Sequence, residues 1–110
     1  MIISDIQKYT AEVAEKWGLN TDAITRYADL VSEIGELGAE LVKGTSYGTK
    51  PIEANDNLAM EMGDVIFVLA LLANELDLNM KECFAKTMQK CEERMKQKGH
   101  IGSYKGDENE

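Results

Sequence analysis

The residues best equipped for chemistry in this chain are two acidic pairs of identical spacing, Glu33-x-x-Glu36 and Glu61-x-x-Asp64. A three-residue step on a helix returns to nearly the same face, so each pair can aim two carboxylates at one point. The first pair lies in Leu30-Val-Ser-Glu-Ile-Gly-Glu-Leu-Gly-Ala-Glu40, the second in Met60-Glu-Met-Gly-Asp-Val-Ile-Phe-Val-Leu-Ala-Leu-Leu-Ala73, and both stretches are rich in apolar residues. Packed antiparallel, they would bring four carboxylates together as one hard-oxygen metal site. All-oxygen ligation selects Mg²⁺, Mn²⁺ or Ca²⁺ over zinc or copper.

The setting of the second pair separates it from ordinary surface acids. At about 100° per residue, Val65, Val68 and Leu72 fall within about 40° of Glu61 on the helical wheel, with Asp64 about 60° away. Unpaired carboxylates among apolar side chains are costly, so a cation is the natural compensation. Glu12, Glu15, Glu92 and Glu93 read as solvated helix faces, since Glu is almost never fully buried. Glu40 continues the first acidic stripe and would either support the site or face water. A di-iron centre would need Glu-x-x-His motifs, whereas the single histidine, His100, follows Gly99 near the end of the chain. There is no Gly-x-x-x-x-Gly-Lys-Ser/Thr loop and no Cys–His pairing, so any phosphate chemistry must be centred on a metal.

These acids require long helices, and the sequence punctuates four. Ser4-Asp-Ile-Gln7 fits a capping box, followed by Ile6, Tyr9, Val13 and Trp17 at helical spacing and by Gly18 as a stop. Asn20-Thr-Asp22 offers caps for a second helix over about residues 22–43, whose expected seam is Ile24, Tyr27, Val31, Ile34, Gly38 and Leu41, ended by Gly44. Residues 45–55 read as a loop, with Gly48 breaking regularity and Pro51 excluding Lys50 from helical geometry. Asn55 or Asp56 caps a third helix reaching to about Asp77. Asn79-Met-Lys-Glu82 opens a fourth, with Met80, Phe84, Met88, Cys91 and Met95 on one face. With no strand-like alternation, the expectation is an all-α four-helix bundle occupying residues 1–97, followed by a mobile polar tail at 98–110. Residues 65–73 are apolar all round, more than four short helices can cover, so the bundle is expected to be completed by oligomerisation.

Composition narrows the partners. One hundred and ten residues make one domain, and a net charge of −8 disfavours nucleic acid and anionic membranes. The longest apolar run is about half of the ~20 residues a membrane span needs. The start, Met1-Ile-Ile-Ser-Asp, has neither a basic leader nor a long apolar core. Cys83 and Cys91 lie about two turns apart on one expected helix, too far to pair, and read as free thiols of a reducing cytoplasm.

Together, Glu33-Ile-Gly-Glu-Leu37 and Glu61-Met-Gly-Asp-Val-Ile-Phe-Val-Leu69 resemble the Glu-Glu-x-x-Glu … Glu-x-x-Asp signature of MazG-like nucleoside triphosphate pyrophosphohydrolases, with a gap of the right size. The resemblance runs over residues 27–94 and includes the loop Tyr47-Gly-Thr-Lys-Pro51 and the stretch Ala73-Asn-Glu-Leu-Asp-Leu78. It departs at Ser32, where the signature has its first Glu, a position that bears on a contact behind the ligands or on the water-positioning base. The resemblance implies a cytoplasmic all-α enzyme, a homodimer or dimer of dimers, that cleaves a nucleoside or deoxynucleoside triphosphate to the monophosphate and pyrophosphate. It also implies Mg²⁺, or Mn²⁺ in its place, on Glu33, Glu36, Glu61 and Asp64, with room for a second ion. Lys90 and Arg94 resemble the basic positions directed at phosphates, against a solvated basic face as the alternative, and Lys86 is a weaker candidate. Trp17 stands where some relatives carry a base-stacking Trp, although it also completes the apolar stripe of the first helix. Tyr47 is a second aromatic candidate, against a plain surface role. The competing function is a catalytically idle oligomeric helical module that binds nucleotide or a protein partner.

Overall fold

A computed structural model describes residues 2–102 and contains four helices: α1 (Ile3–Trp17), α2 (Ala23–Gly44), α3 (Asp56–Glu75) and α4 (Met80–Lys98). No strand occurs among the described residues. Three helix starts follow the side chains expected to cap them. The Asp22 carboxylate accepts from the Thr25 N–H at 2.8 Å, Asn55 from Leu58 at 2.8 Å and Asn79 from Glu82 at 3.0 Å. The bond to Asp22, joined by one from the Thr25 hydroxyl, holds its carboxyl below the usual range. α1 differs from expectation. It begins at Ile3, one residue before the expected cap Ser4, and Asp5 reaches back to accept from the Ile2 N–H at 3.3 Å. The acid three residues into the helix, not the serine, fixes the start.

Gly18 closes α1 at φ 66°, and the Leu19 N–H returns to the Ala14 carbonyl at 2.8 Å, a glycine-dependent helix end. At the far end, Gly99 stops α4 at φ 77° and the Arg94 guanidinium donates to the Ile101 carbonyl at 3.1 Å. The remainder of the expected tail, residues 103–110, lies outside the described residues.

The core is small and centred on α3. Val13 and Ala14 of α1, Leu30 of α2, and Val68, Ala70, Leu71 and Ala73 of α3 are the buried hydrophobic residues. α3 lies between α1 and α2, while α4 packs chiefly on α1 and buries no residue fully. One glutamine ties α1 to the α3–α4 turn. The Gln7 amide donates to Asn74 Oδ1 at 2.9 Å and to the Leu78 carbonyl at 2.7 Å, while its oxygen accepts from the Met80 N–H at 2.8 Å. Beyond this turn α3 and α4 diverge around an apolar cleft of about 360 Å³, lined by Leu69, Leu72, Leu76, Met80 and Phe84.

Two seams differ from the sequence expectation. α3 is covered on most of its circumference, but Met62, Ile66, Leu69 and Leu76 remain exposed along one stripe. On α2 the expected seam faces outward: Ile24, Tyr27, Val31, Ile34 and Leu41 are all exposed, Ile24 by 80%. The face that meets α3 is instead Arg26, Leu30, Glu33, Leu37 and Glu40, whose members are all buried or half-buried. Three of those five positions are ionic: Arg26 pairs with Glu75 of α3, Glu33 faces Glu61 and Asp64 there, and Glu40 pairs within α2, with Lys43.

Candidate metal centre

α2 and α3 run antiparallel, so the inner stripe of α2 meets α3 in reverse order. Near the start of α2, Arg26 meets Glu75 from the end of α3. Seven residues along α2, Glu33 reaches the Glu61–Asp64 pair, and each of these three acids offers one carboxylate oxygen within 4.8 Å of the others. That spacing suits a shared cation: oxygens about 2.0–2.6 Å from one ion stand at most about 4–5 Å apart.

The environment of the acids supports the same fit. Glu33 and Glu61 are half-buried, and Oε2 of each is shielded from solvent with no hydrogen-bond partner. A buried carboxylate oxygen without a donor is an unfavourable arrangement that a bound cation relieves. Burial pushes both carboxyls above their ordinary range, and the charges of Glu36 and Asp64 push them further. The donor set is all oxygen and suits a hard divalent ion.

The remaining expected residues are distributed unevenly around this centre. Glu36 is exposed and stands outside the three-acid group, yet its charge is the strongest of those acting on both Glu33 and Glu61, which places it alongside. Lys90 is exposed on α4, and Arg94 is half-buried with its guanidinium on the Ile101 carbonyl. Trp17 ends α1 with 62% of its surface exposed, so within this chain it does not serve as a core anchor. Tyr47 is exposed on the loop after α2, at the centre of three successive left-handed residues, Ser46, Tyr47 and Gly48. Thr45 braces that turn: its hydroxyl donates to the Val42 carbonyl at 3.1 Å and accepts from the Gly48 N–H at 2.9 Å. Ser32 is exposed.

One neighbour was not singled out in the sequence. Lys43 Nζ lies 3.7 Å from Glu40 Oε1, and Lys43 is the one cation among the groups acting most strongly on Glu61, whose pKa it lowers. Its signal was local: a Glu–Lys pair three residues apart, immediately beyond the acidic pair on the same helix.

Comparison with known proteins identifies the family. Residues 22–98, which span α2, α3 and α4, match the MazG nucleotide pyrophosphohydrolase domain. YpjD of Bacillus subtilis (strain 168), a protein named as uncharacterized, is 33% identical over 92 residues, which cover 81% of this chain and 78% of YpjD. The crystal structure of YpjD from Bacillus subtilis, named there as a candidate pyrophosphatase, superposes with a TM-score of 0.70 at 32% identity, over 82% of this chain and 94% of that one. This chain therefore belongs to the MazG nucleotide pyrophosphohydrolase family.

Proposed function

We propose that the protein hydrolyses a nucleoside or deoxynucleoside triphosphate to the monophosphate and pyrophosphate with a divalent ion, Mg²⁺ or Mn²⁺, held by Glu33, Glu61 and Asp64 with Glu36 beside them. The observation that carries the reading is the pair of solvent-shielded, unpartnered oxygens on Glu33 and Glu61, within reach of Asp64. When bound, such an ion neutralises polyphosphate charge and acidifies water. The chain's own contribution is to hold the acids rigidly on two packed helices and to strip water from two of their oxygens. Ser32 leaves the signature's first acid absent, so orientation of the attacking water falls to the remaining carboxylates. Of these, exposed Glu36 is best placed to accept its proton.

Trp17 and Tyr47, both exposed aromatics, are the proposed base-stacking surfaces, and Lys90 and Arg94 the proposed phosphate contacts from α4. The exposed apolar stripes of α2 and α3 support a homodimer or a dimer of dimers, since contiguous apolar surface of this kind marks an interface. The free thiols of Cys83 and Cys91 fit a cytoplasmic setting. No described helix is long and apolar enough to cross a membrane.

The test is a pyrophosphate-release screen over canonical and damaged nucleoside triphosphates with Mg²⁺ and with Mn²⁺, products being resolved by chromatography. The expected result is monophosphate plus pyrophosphate from at least one substrate, abolished by chelator. A nucleotide-dependent melting shift without turnover across the panel would mean the idle binding module instead.

A further inference from the structure

The pyrophosphohydrolase reading leaves open what meets the polyphosphate charge on the acidic seam itself. We propose that Lys43 is a phosphate-binding residue of this site, held over it by Glu40 until substrate arrives. The proposal rests on the reading above and adds a residue from outside the acidic signature.

Three observations carry it. Lys43 is placed by the same helix as Glu33. The inner stripe of α2 runs Glu33, Leu37, Glu40, and the next step along it reaches residues 43 and 44, so the ammonium lies at the end of the acid row nearest the 45–55 loop. Secondly, its partner is weakly engaged. At 3.7 Å the Lys43–Glu40 pair is longer than a charge-assisted hydrogen bond of about 2.7–2.9 Å, and the Lys43 side chain is 66% exposed while that of Glu40 is only 19% exposed. The acid is largely enclosed and the cation largely in solvent. Thirdly, the partner is itself turned toward the seam: Glu40 is half-buried on the α2 face that meets α3, seven residues and about two turns beyond Glu33. Arg94, by contrast, has its guanidinium on a backbone carbonyl, and α4 packs chiefly on α1.

The chemistry needs such a group. Three clustered acids and a divalent ion together still carry net negative charge, while a nucleoside triphosphate brings several more. A compact ammonium on a flexible stem suits a phosphate that must be gripped and then released as product. Glu40 provides the resting partner, keeping the ammonium beside the site when no phosphate is present.

The test compares wild type with Lys43→Ala, Lys43→Arg and Glu40→Gln. Calorimetry measures Mg²⁺ alone, then the α,β-methylene analogue of whichever triphosphate is turned over, in saturating Mg²⁺. Lys43→Ala is expected to bind Mg²⁺ at least as tightly as wild type but the analogue about 10- to 100-fold more weakly, the worth of one charge-assisted bond. Its KM should rise more than its kcat falls, and Lys43→Arg should restore most of the analogue affinity. Glu40→Gln, which releases the ammonium, should not weaken the analogue. If Lys43→Ala binds the analogue within about twofold of a wild type that cleaves substrate, the Lys43 role is wrong and the enzyme reading stands. A wild type that releases no pyrophosphate from the panel overturns the enzyme reading and the Lys43 role together.

Discussion

The α2–α3 interface buries carboxylates at two places, and it treats them in opposite ways. At one end Glu75, with its side chain 6% exposed, accepts from Arg26 Nε at 3.3 Å and from the Thr21 N–H at 3.0 Å. Arg26 is itself occupied on all sides, donating to Asp29 at 2.9 Å and to the Leu19 carbonyl. About two helical turns along α2, Glu33 and Glu61 each leave a shielded oxygen with no donor at all. The same two helices thus satisfy one buried acid completely and leave two others open. The difference separates the two places: Glu75 is matched within the chain, whereas the acids beside Asp64 are not, as the proposed cation site requires.

The comparison breaks most visibly at the scaffold end. Arg26→Met leaves Glu75 buried without its cation and is expected to cost about 3–5 kcal/mol of stability, read as a lowered urea midpoint. Loss of less than about 1 kcal/mol would show that Glu75 does not need its partner. At the open end the expected effect is on activity. Glu61→Gln should retain the fold and lose more than about 100-fold in pyrophosphate release, given that groups merely supporting a metal's ligands typically cost 10- to 100-fold. Glu92→Gln, on the exposed face of α4, is the control and should match wild type.

The contrast between the two places was half legible in the sequence. Paired spacing and apolar neighbours marked Glu61 and Asp64, and the same spacing marked Glu33, because a three-residue period is visible whatever the helix packs on. The Arg26–Glu75 pair was not visible, since its members lie 49 residues apart and carry no local pattern. Nor was the true inner face of α2. Hydrophobic periodicity selected Ile24, Tyr27, Val31, Ile34 and Leu41, the strongest apolar stripe, and the structure turns that stripe outward, since periodicity within one helix does not report a cross-helix partner such as Glu75 for Arg26. Lys43 did carry a local signal, its three-residue spacing from Glu40, and only its relation to Glu61 runs between helices.

That outward stripe gives the next expected effect. If α2 meets a second copy there, light scattering at micromolar concentration should return a multiple of 12.2 kDa for wild type, and Val31→Glu or Ile34→Lys should return 12.2 kDa or aggregates. Leu71, nearly fully buried within the chain, is a poor place for such a probe. A 12.2 kDa wild type would refute the interface.

A smaller effect should follow pH. In the metal-free protein the folded-state pKa values of Glu33 and Glu61 are raised, so the folded state holds these protons more tightly than the unfolded chain. Their contribution to stability is fully present below the unfolded carboxylate pKa, about 4.3, and is lost as pH rises through the raised folded values. Melting curves in chelator should therefore show the difference between wild type and Glu61→Gln growing unfavourable to wild type as pH rises toward neutrality. Added Mg²⁺ should reverse that trend, because the ion competes with the same protons. A difference that does not change with pH would mean that these acids are no more confined than Glu92.

The central claim is that the open acids of the α2–α3 seam hold a divalent cation, and a calorimetric titration at neutral pH tests it most directly. Mg²⁺ and Mn²⁺ should bind wild type with measurable heat, and the same titration repeated at more acidic pH should release protons, since raised carboxyls must be emptied to accept the ion. Glu61→Gln should bind either ion at least about tenfold more weakly, while Glu92→Gln should be indistinguishable from wild type. Equal affinity in wild type and Glu61→Gln would contradict the account, because the unpartnered oxygen on which it rests would then be holding nothing.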